Sequence, residues 1–402
     1  MGECHVCNSC ELEAVHAPTR PIALVSSDVQ TVNARVAWAV CPGCLTLQKI
    51  VDPDWRRLAD GIYERYDLNH QAAGGEPHLH NTAFGAGPRA EILFKYLLRL
   101  IDLPAAGKLL DVGCGNGNLL KAFHPLRAGW ELYGADISDV CKDEVLGLPG
   151  VRGFHGGRNI AYPLRYDLIT LCHVLEHVPD PAALLRPLLH NLAPGGRLLI
   201  VVPNIRQNPI DLLIADHCSH FDVKSLVNVI AAAGLEVKEL TARTIPKELI
   251  AIVGAPAERS SGRWVPDEDD LPAADMCRDY FLLFRGVRDA ARAAVAEASH
   301  FGIMGSSIAA AWLARELDEA VDFFADEDQS RWGRTLMGRP IVNLAQVPPG
   351  ATVFIPMSAA VAQKIVRRAG RSFVDFRYVD WNRGGAPVVR REGVRRLRKK
   401  YA

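Results

Sequence analysis

The sequence predicts an α/β protein whose centre is a doubly wound parallel sheet, preceded by a cysteine-rich module and followed by a second, similar unit. Three observations carry this. Lys108–Leu120 reads KLLDVGCGNGNLL: a short apolar strand, a turn with Gly113, Gly115 and Gly117, and an apolar helix start. Apolar strand-like runs then alternate with helical segments as far as Gly254, which places the strands in parallel. Cys4-x-x-Cys7 and Cys41-x-x-Cys44 open the chain, and a second strand and glycine turn appear at His300–Ser307.

Composition bounds the classes. The chain has 402 residues, more than one ordinary domain. Hydrophobic residues make up 49%, enough for large cores, and Lys plus Arg balance Asp plus Glu at 46 each. A neutral balance gives no general attraction to nucleic acid or to a membrane surface. No apolar run reaches the roughly 18 residues of a spanning helix. MGECHVCNSC lacks the basic-then-apolar pattern of a secretory signal. These features lead us to expect a cytoplasmic protein in which ten cysteines serve as thiols or metal ligands.

In chain order, residues 1–52 read as a zinc-ribbon-like module. Two CxxC knuckles supply the four thiolates of a structural Zn2+, namely Cys4, Cys7, Cys41 and Cys44, with Cys10 a further candidate. Such a module is poorly stable without metal. Acids at Glu3, Glu11, Glu13 and Asp28 argue against nucleic-acid binding. A helix starts at Asp54, which follows Pro53 and is placed as its cap. Ala90–Ile101 is an amphipathic helix. The strands are Lys108–Val112, Glu131–Ala135, Val151–Phe154, Tyr166–Leu171 and Arg197–Val202, with Leu235–Thr241 and Ile250–Gly254 as an antiparallel finish.

The central turn has a chemistry. Its glycines admit positive φ and let backbone pass close to a ligand, and ligands of such sheets lie at the carboxyl ends of the strands. Asp136 follows the second strand, placed to take both hydroxyls of a ribose. Asn118 stands where a dinucleotide fingerprint needs its third glycine, and Asp111 would meet a pyrophosphate badly. A carboxylate there suits a ligand carrying an ammonium or sulfonium group.

Asp-Val-Gly-Cys-Gly-Asn-Gly, Gly-Ala-Asp-Ile-Ser and LCHVLEHVPDP (Leu171–Pro181) together resemble class I S-adenosylmethionine-dependent methyltransferases over roughly Ala90–Gly254. The resemblance implies a Rossmann-like methyltransferase domain over 53–254 with S-adenosyl-L-methionine across Asp111, Gly113, Gly115, Asp136, Ile137, Cys172 and His173. A segment over the crevice brings Tyr63, Tyr66, His78 and His80 toward the ligand, and His155 falls near the adenine. Glu176-His177 is mostly architectural. After the fifth strand, Ile210–Phe221 gathers Asp211, Asp216, His217 and His220. A histidine beside a carboxylate accepts a proton near neutral pH, and methylation of a neutral carbon or oxygen needs such a base. We read His217, assisted by Asp216, as that base, with His220 a further candidate.

Residues 255–298 are a linker and a long helix, Met276–Ala298. Residues 299–402 form the second Rossmann-like domain: Ile308–Leu317 is a helix, Val321–Ala325 a strand ending in Asp326-Glu-Asp328, and Thr352–Pro356 another strand. Gly302-x-x-Gly305 lacks the full dinucleotide pattern. Val388–Lys400 carries seven basic residues and reads as a solvated end. This order resembles sugar C-methyltransferases, which implies a nucleotide-linked keto-deoxysugar as substrate and is compatible with a homodimer. That family usually has Tyr-x-Glu-His where this chain has Ile214-Ala215-Asp216-His217, and Pro203-Asn204 looks more like O-methyltransferases. O- or N-methylation of another metabolite, an NAD-linked oxidoreductase and a non-catalytic zinc scaffold are the alternatives.

Overall fold

A computed structural model describes residues 3–9, 11–15, 22–65, 78–158, 162–256, 272–370, 374–381 and 388–392; of 78 and 80–82 it describes the backbone only. Two compact units emerge. One is built from Met1–Val15, Val36–Leu212 and Asp216–Ala274, the other from His16–Arg35, Leu213–Ala215 and Asp275–Ala402. Residues 1–52, read from the sequence as one module, therefore divide between the two. Among the described residues no helix is long and apolar enough to cross a membrane.

The first unit opens with strands β1 (Glu13–Val15), β2 (Trp38–Val40) and β3 (Leu47–Lys49) and helix α1 (Pro53–Tyr63). The cap of α1 is Asp52 rather than Asp54. Pro53 takes the first helical position, where no N–H is needed, so Asp52 is the residue whose carboxylate accepts from Trp55 N–H at 2.7 Å. Helix α2 (Arg89–Leu100) leads to the main sheet. Its strands are β4 (Lys108–Val112), β5 (Glu131–Asp136), β6 (Val151–Gly156), β7 (Tyr166–Cys172) and β8 (Leu192–Pro203), followed after a loop by β9 (Ser219–His220), then β10 (Glu236–Thr241) and β11 (Glu248–Gly254). The order is β6-β5-β4-β7-β8-β11-β10, with only β11 antiparallel to its neighbours.

Apolar residues fill both faces, as a buried parallel sheet requires. Leu109, Leu132, Leu168, Leu199 and Val201 pack on one face. Leu110, Ile169, Leu171, Leu198 and Ile200 pack on the other, since neighbours along a strand point to opposite sides. The order reverses between β4 and β7, which fixes where a ligand crevice opens. Strand β9 does not join this sheet. It pairs antiparallel with β3, giving a four-stranded sheet β1-β2-β3-β9.

The second unit holds most of a long helix (Ala273–Glu297) and its own sheet. Phe301–Met304, Phe323–Ala325, Arg339–Val342, Thr352–Ile355 and Asp375–Asp380 are parallel. Val388–Glu392, expected as part of a solvated basic end, is an antiparallel edge strand in which Arg390 pairs with Asp380 and Arg391 with Asp375.

Candidate functional site

The turn after β4 is held by backbone bonds: Gly113 and Cys114 N–H both donate to Ala135 C=O, at 2.7 and 3.0 Å. Gly113 has φ +73°, and a Cβ there would stand 2.5 Å from Val174 Cγ2, so both conformation and space require glycine. Gly115 has φ +50° and donates its N–H to Asp136 Oδ2 at 2.9 Å. Asp136 Oδ1 accepts from Ser138 N–H at 3.0 Å. Asp111 is buried at the end of β4 and accepts from the Thr170 hydroxyl at 2.6 Å. Asp111, Gly113, Gly115 and Asp136 thus share one end of the sheet. Ile137 is 47% exposed there. In register, His155 lies beside Ala135 and Gly156 beside Asp136, so the end of β6 flanks the same acid. Tyr66 lies outside the described residues; His78 and His80 lie in a strand, His78–Thr82.

Cys172 ends β7, and His173 follows it with φ +57°, a conformation a bulky residue adopts only where its surroundings impose it. Its ring lies between two carboxylates. His173 Nδ1 lies 2.9 Å from Glu176 Oε1, and its Nε2 lies 3.2 Å from Glu248 Oε1. Arg89 reaches the same Glu248 oxygen at 3.2 Å. Burial and Arg89 oppose a charge on His173, yet the two carboxylates outweigh them and raise it to about 9. Burial would raise Glu248, but Arg89 and His173 bring it down to about 2.

The histidine cluster differs from expectation in one pairing. His217 Nδ1 bonds Asp211 Oδ1 at 2.6 Å, and His220 Nδ1 bonds Asp211 Oδ2, also at 2.6 Å. Asp216, expected to assist His217, instead lies against His177 Nδ1 at 3.2 Å, where the Tyr63 hydroxyl also reaches at 2.9 Å. The reason is local: Asp211 sits on a 3-10 turn, Pro209–Leu213, that brings it back under both imidazoles, while the adjacent Asp216 points elsewhere. Burial would raise Asp211, but the two imidazoles hold it well below the usual carboxylate range. An ionised carboxylate only accepts, so each histidine donates Nδ1–H and keeps Nε2 as its base. For His217 that atom belongs to a ring that meets His177 edge-on, 4.5 Å between centroids. His220 Nε2 is buried with no hydrogen-bond partner among the described residues, and burial pulls its pKa down despite Asp211. His177 is raised: burial opposes its charge, and Asp216 more than offsets that.

Lys49, Glu248 and Arg89 are the residues the sequence did not point to. Lys49 is fully buried; burial lowers it to about 8 while Asp211 and Asp216 pull it back. Leu47–Lys49 reads LQK, with one apolar residue in three, so the local pattern does not mark Lys49 as buried.

The cysteines do come together. Cys4 Sγ lies 3.4 Å from Cys44 Sγ, and Cys7 Sγ lies 3.5 Å from Cys41 Sγ; all four sulfurs are within 4.8 Å of one another. A tetrahedral centre with metal–sulfur bonds of about 2.3 Å has sulfur–sulfur edges of about 3.8 Å, so the donor set fits. Glu176, His177 and His217 also bring ligand-type atoms within 4.8 Å of one another.

Residues 87–240 match a family model described as a methyltransferase domain. Among curated proteins, the chain is 34% identical over 108 residues to a ubiquinone biosynthesis O-methyltransferase of Serratia proteamaculans, covering 24% of this chain and 42% of that one. It is 29% identical over 162 residues to the protein of the same name from Aeromonas salmonicida, covering 33% and 65%. The chain thus spans about half the length of these relatives. Among solved structures, CalO1, a methyltransferase in calicheamicin biosynthesis, is 22% identical, with 42% of this chain and 54% of that one covered and a TM-score of 0.35. The O-methyltransferase NcsB1 from neocarzinostatin biosynthesis is 21% identical, covering 40% and 53%, with a TM-score of 0.36.

Proposed function

We propose that this chain, which carries a methyltransferase domain over residues 87–240, is an S-adenosylmethionine-dependent methyltransferase acting on a small molecule. The observation that carries the reading is the joint placement of Asp111, the glycine turn and Asp136 at the point where the strand order reverses. Asp136 suits the ribose hydroxyls and Asp111 the charged amino-acid end of the donor, whose contribution is a methyl group on a positively charged sulfur.

The finer proposal is that the acceptor is a nucleotide-linked keto-deoxysugar, methylated at carbon. His217, oriented by Asp211 rather than Asp216, takes the proton from the carbon beside the ketone at Nε2. The carbon–hydrogen electron pair moves toward the carbonyl oxygen, and the carbon then bonds the methyl as the methyl–sulfur bond breaks. Asp211 stabilises the imidazolium that results. Cys4, Cys7, Cys41 and Cys44 hold one zinc with a structural role. O-methylation of another metabolite is the second reading, favoured by the names of the relatives above.

The test is incubation with S-adenosylmethionine and a panel of nucleotide sugars, read by mass spectrometry. The expected product is one methyl heavier, with that methyl on carbon. A methyl on oxygen replaces the first reading by the second. Binding of NAD without S-adenosylmethionine, and no methylated product, overturns both.

A further inference from the structure

The cysteine module and the histidine loop share a sheet. Strand β9, which carries Ser219 and His220, is two residues long, and β3 is its partner in that sheet. The register sets Gln48 opposite Ser219 and Leu47 opposite His220. Lys49 N–H then donates to Cys218 C=O at 2.8 Å, and Cys218 N–H donates to Glu176 C=O at 2.8 Å. So short a strand has no independent stability; its place depends on β3.

Strand β3 is in turn fixed by the cysteines. Cys41 and Cys44 lie in the turn joining β2 to β3, where Cys41 N–H donates to Thr46 C=O at 3.0 Å and Cys44 Sγ lies 3.1 Å from Thr46 Oγ1. From the other knuckle, His5 sits between Cys4 and Cys7. Its backbone N–H donates to Gln48 Oε1 at 3.0 Å, and its Nδ1 lies 2.9 Å from Ser219 Oγ. Gln48 Nε2 donates back to Glu3 C=O at 3.0 Å. His5, Gln48 and Ser219 are all buried. One residue from a proposed metal ligand, His5 touches Ser219, which follows His217 by two residues in the same loop.

We propose that the metal centre of the cysteine module is the support of the histidine loop, and that His5 and Ser219 are positioning residues through which it sets His217 and Asp211. The inference rests on the reading of His217 as the base. It states what the module is for: not a separate nucleic-acid or partner-binding appendage, but a wall of the acceptor side of the site. Loss of metal then disables proton removal while the donor crevice, built on β4 and β5, stays intact.

The test uses the full-length protein, purified with zinc and then stripped by a chelator, with zinc content measured in both forms. Hydrogen–deuterium exchange is followed in peptides covering 216–221 and in peptides covering 108–137, and S-adenosylhomocysteine affinity is measured by calorimetry. Stripping should speed exchange in 216–221 by about tenfold or more, as expected of a locally opened segment. It should leave 108–137 and the affinity unchanged. His5→Phe and Ser219→Ala, which approach the contact from opposite sides, should keep the zinc and reproduce the faster exchange. Both should lower kcat without changing KM for the methyl donor, and His5→Asn, which keeps a polar partner for Ser219, should recover most of it. Unchanged exchange in 216–221 after stripping and in both variants overturns the proposal, as does equal loosening of 108–137. Normal turnover of His217→Ala removes the base assignment instead, and the exchange measurement is read independently of it.

Discussion

The two sheet units of this chain share an architecture and differ in what they leave for a ligand. Each has a first strand, a turn and an acid after the second strand: Asp136 in one, Asp326 in the other. In the first, three glycines at positive φ open the turn, and Asp136 holds it through Gly115 N–H. In the second, Gly305 is followed by Ser306, whose hydroxyl donates to Asp326 Oδ2 at 2.6 Å. Arg331 then closes over the same turn, donating to Ser306 Oγ at 2.7 Å and to Ser306 C=O at 3.0 Å. Asp326 Oδ1 accepts from Asp328 N–H at 2.9 Å. Strand order alone therefore does not make a site. Both acids accept two hydrogen bonds, but in the first unit both donors are backbone N–H groups, whereas in the second one donor is a serine hydroxyl that Arg331 also contacts.

The largest expected effect lies at the proposed base. His217→Ala should slow methyl transfer by about 10²–10⁴-fold with donor affinity retained, measured by turnover and calorimetry. For a carbon acceptor, wild type should also exchange that carbon's hydrogen with heavy water, and the variant should not. Normal turnover in the variant removes His217 from the chemistry.

Next comes the metal. Elemental analysis should find about one zinc per chain, lost in Cys41→Ser, because removing one thiolate breaks a four-coordinate set. No metal in the wild type ends the zinc reading. Two per chain would place a second ion among Glu176, His177 and His217 and take from His217 the lone pair its base role needs.

A smaller effect concerns pH. His173 is raised by Glu176 and Glu248 from 6.5 to about 9, so its favourable interactions are complete below about 6.5 and fade as pH rises through about 9. Glu248 is depressed to about 2, so its own contribution persists across this window and is lost only in acid. The Tm of wild type should accordingly fall between pH 6.5 and 9 by more than that of His173→Asn. Parallel curves would show that the clamp does not couple to stability.

How much of this was legible follows from which signals are local. Strands β4, β5 and β7 were placed within a residue of their ends because both faces are buried and the sequence runs apolar across them. Strand β8 starts five residues earlier than Arg197, since Leu192 pairs with Tyr166 through Pro194-Gly195-Gly196, residues that read as a turn. The glycine turn and its contact with Asp136 were visible because glycines and acids at short spacing carry their own geometry. The histidine loop was visible only as a cluster. Adjacency suggested Asp216 as the partner of His217, but a tight turn sends neighbours in opposite directions, and Asp211 came round instead. Glu248 meets His173 across 75 positions, and β9 meets β3 across more than 160, so neither contact leaves a trace in local pattern.

The most direct test of the central claim is titration of S-adenosylmethionine into two variants by calorimetry, Asp136→Ala and Asp326→Ala. The account predicts that Asp136→Ala loses the charge-assisted hydrogen bonds to the ribose, about 1.5–3 kcal/mol each, and that Asp326→Ala binds like wild type. Unchanged affinity in Asp136→Ala, or a loss in Asp326→Ala as large, would contradict it.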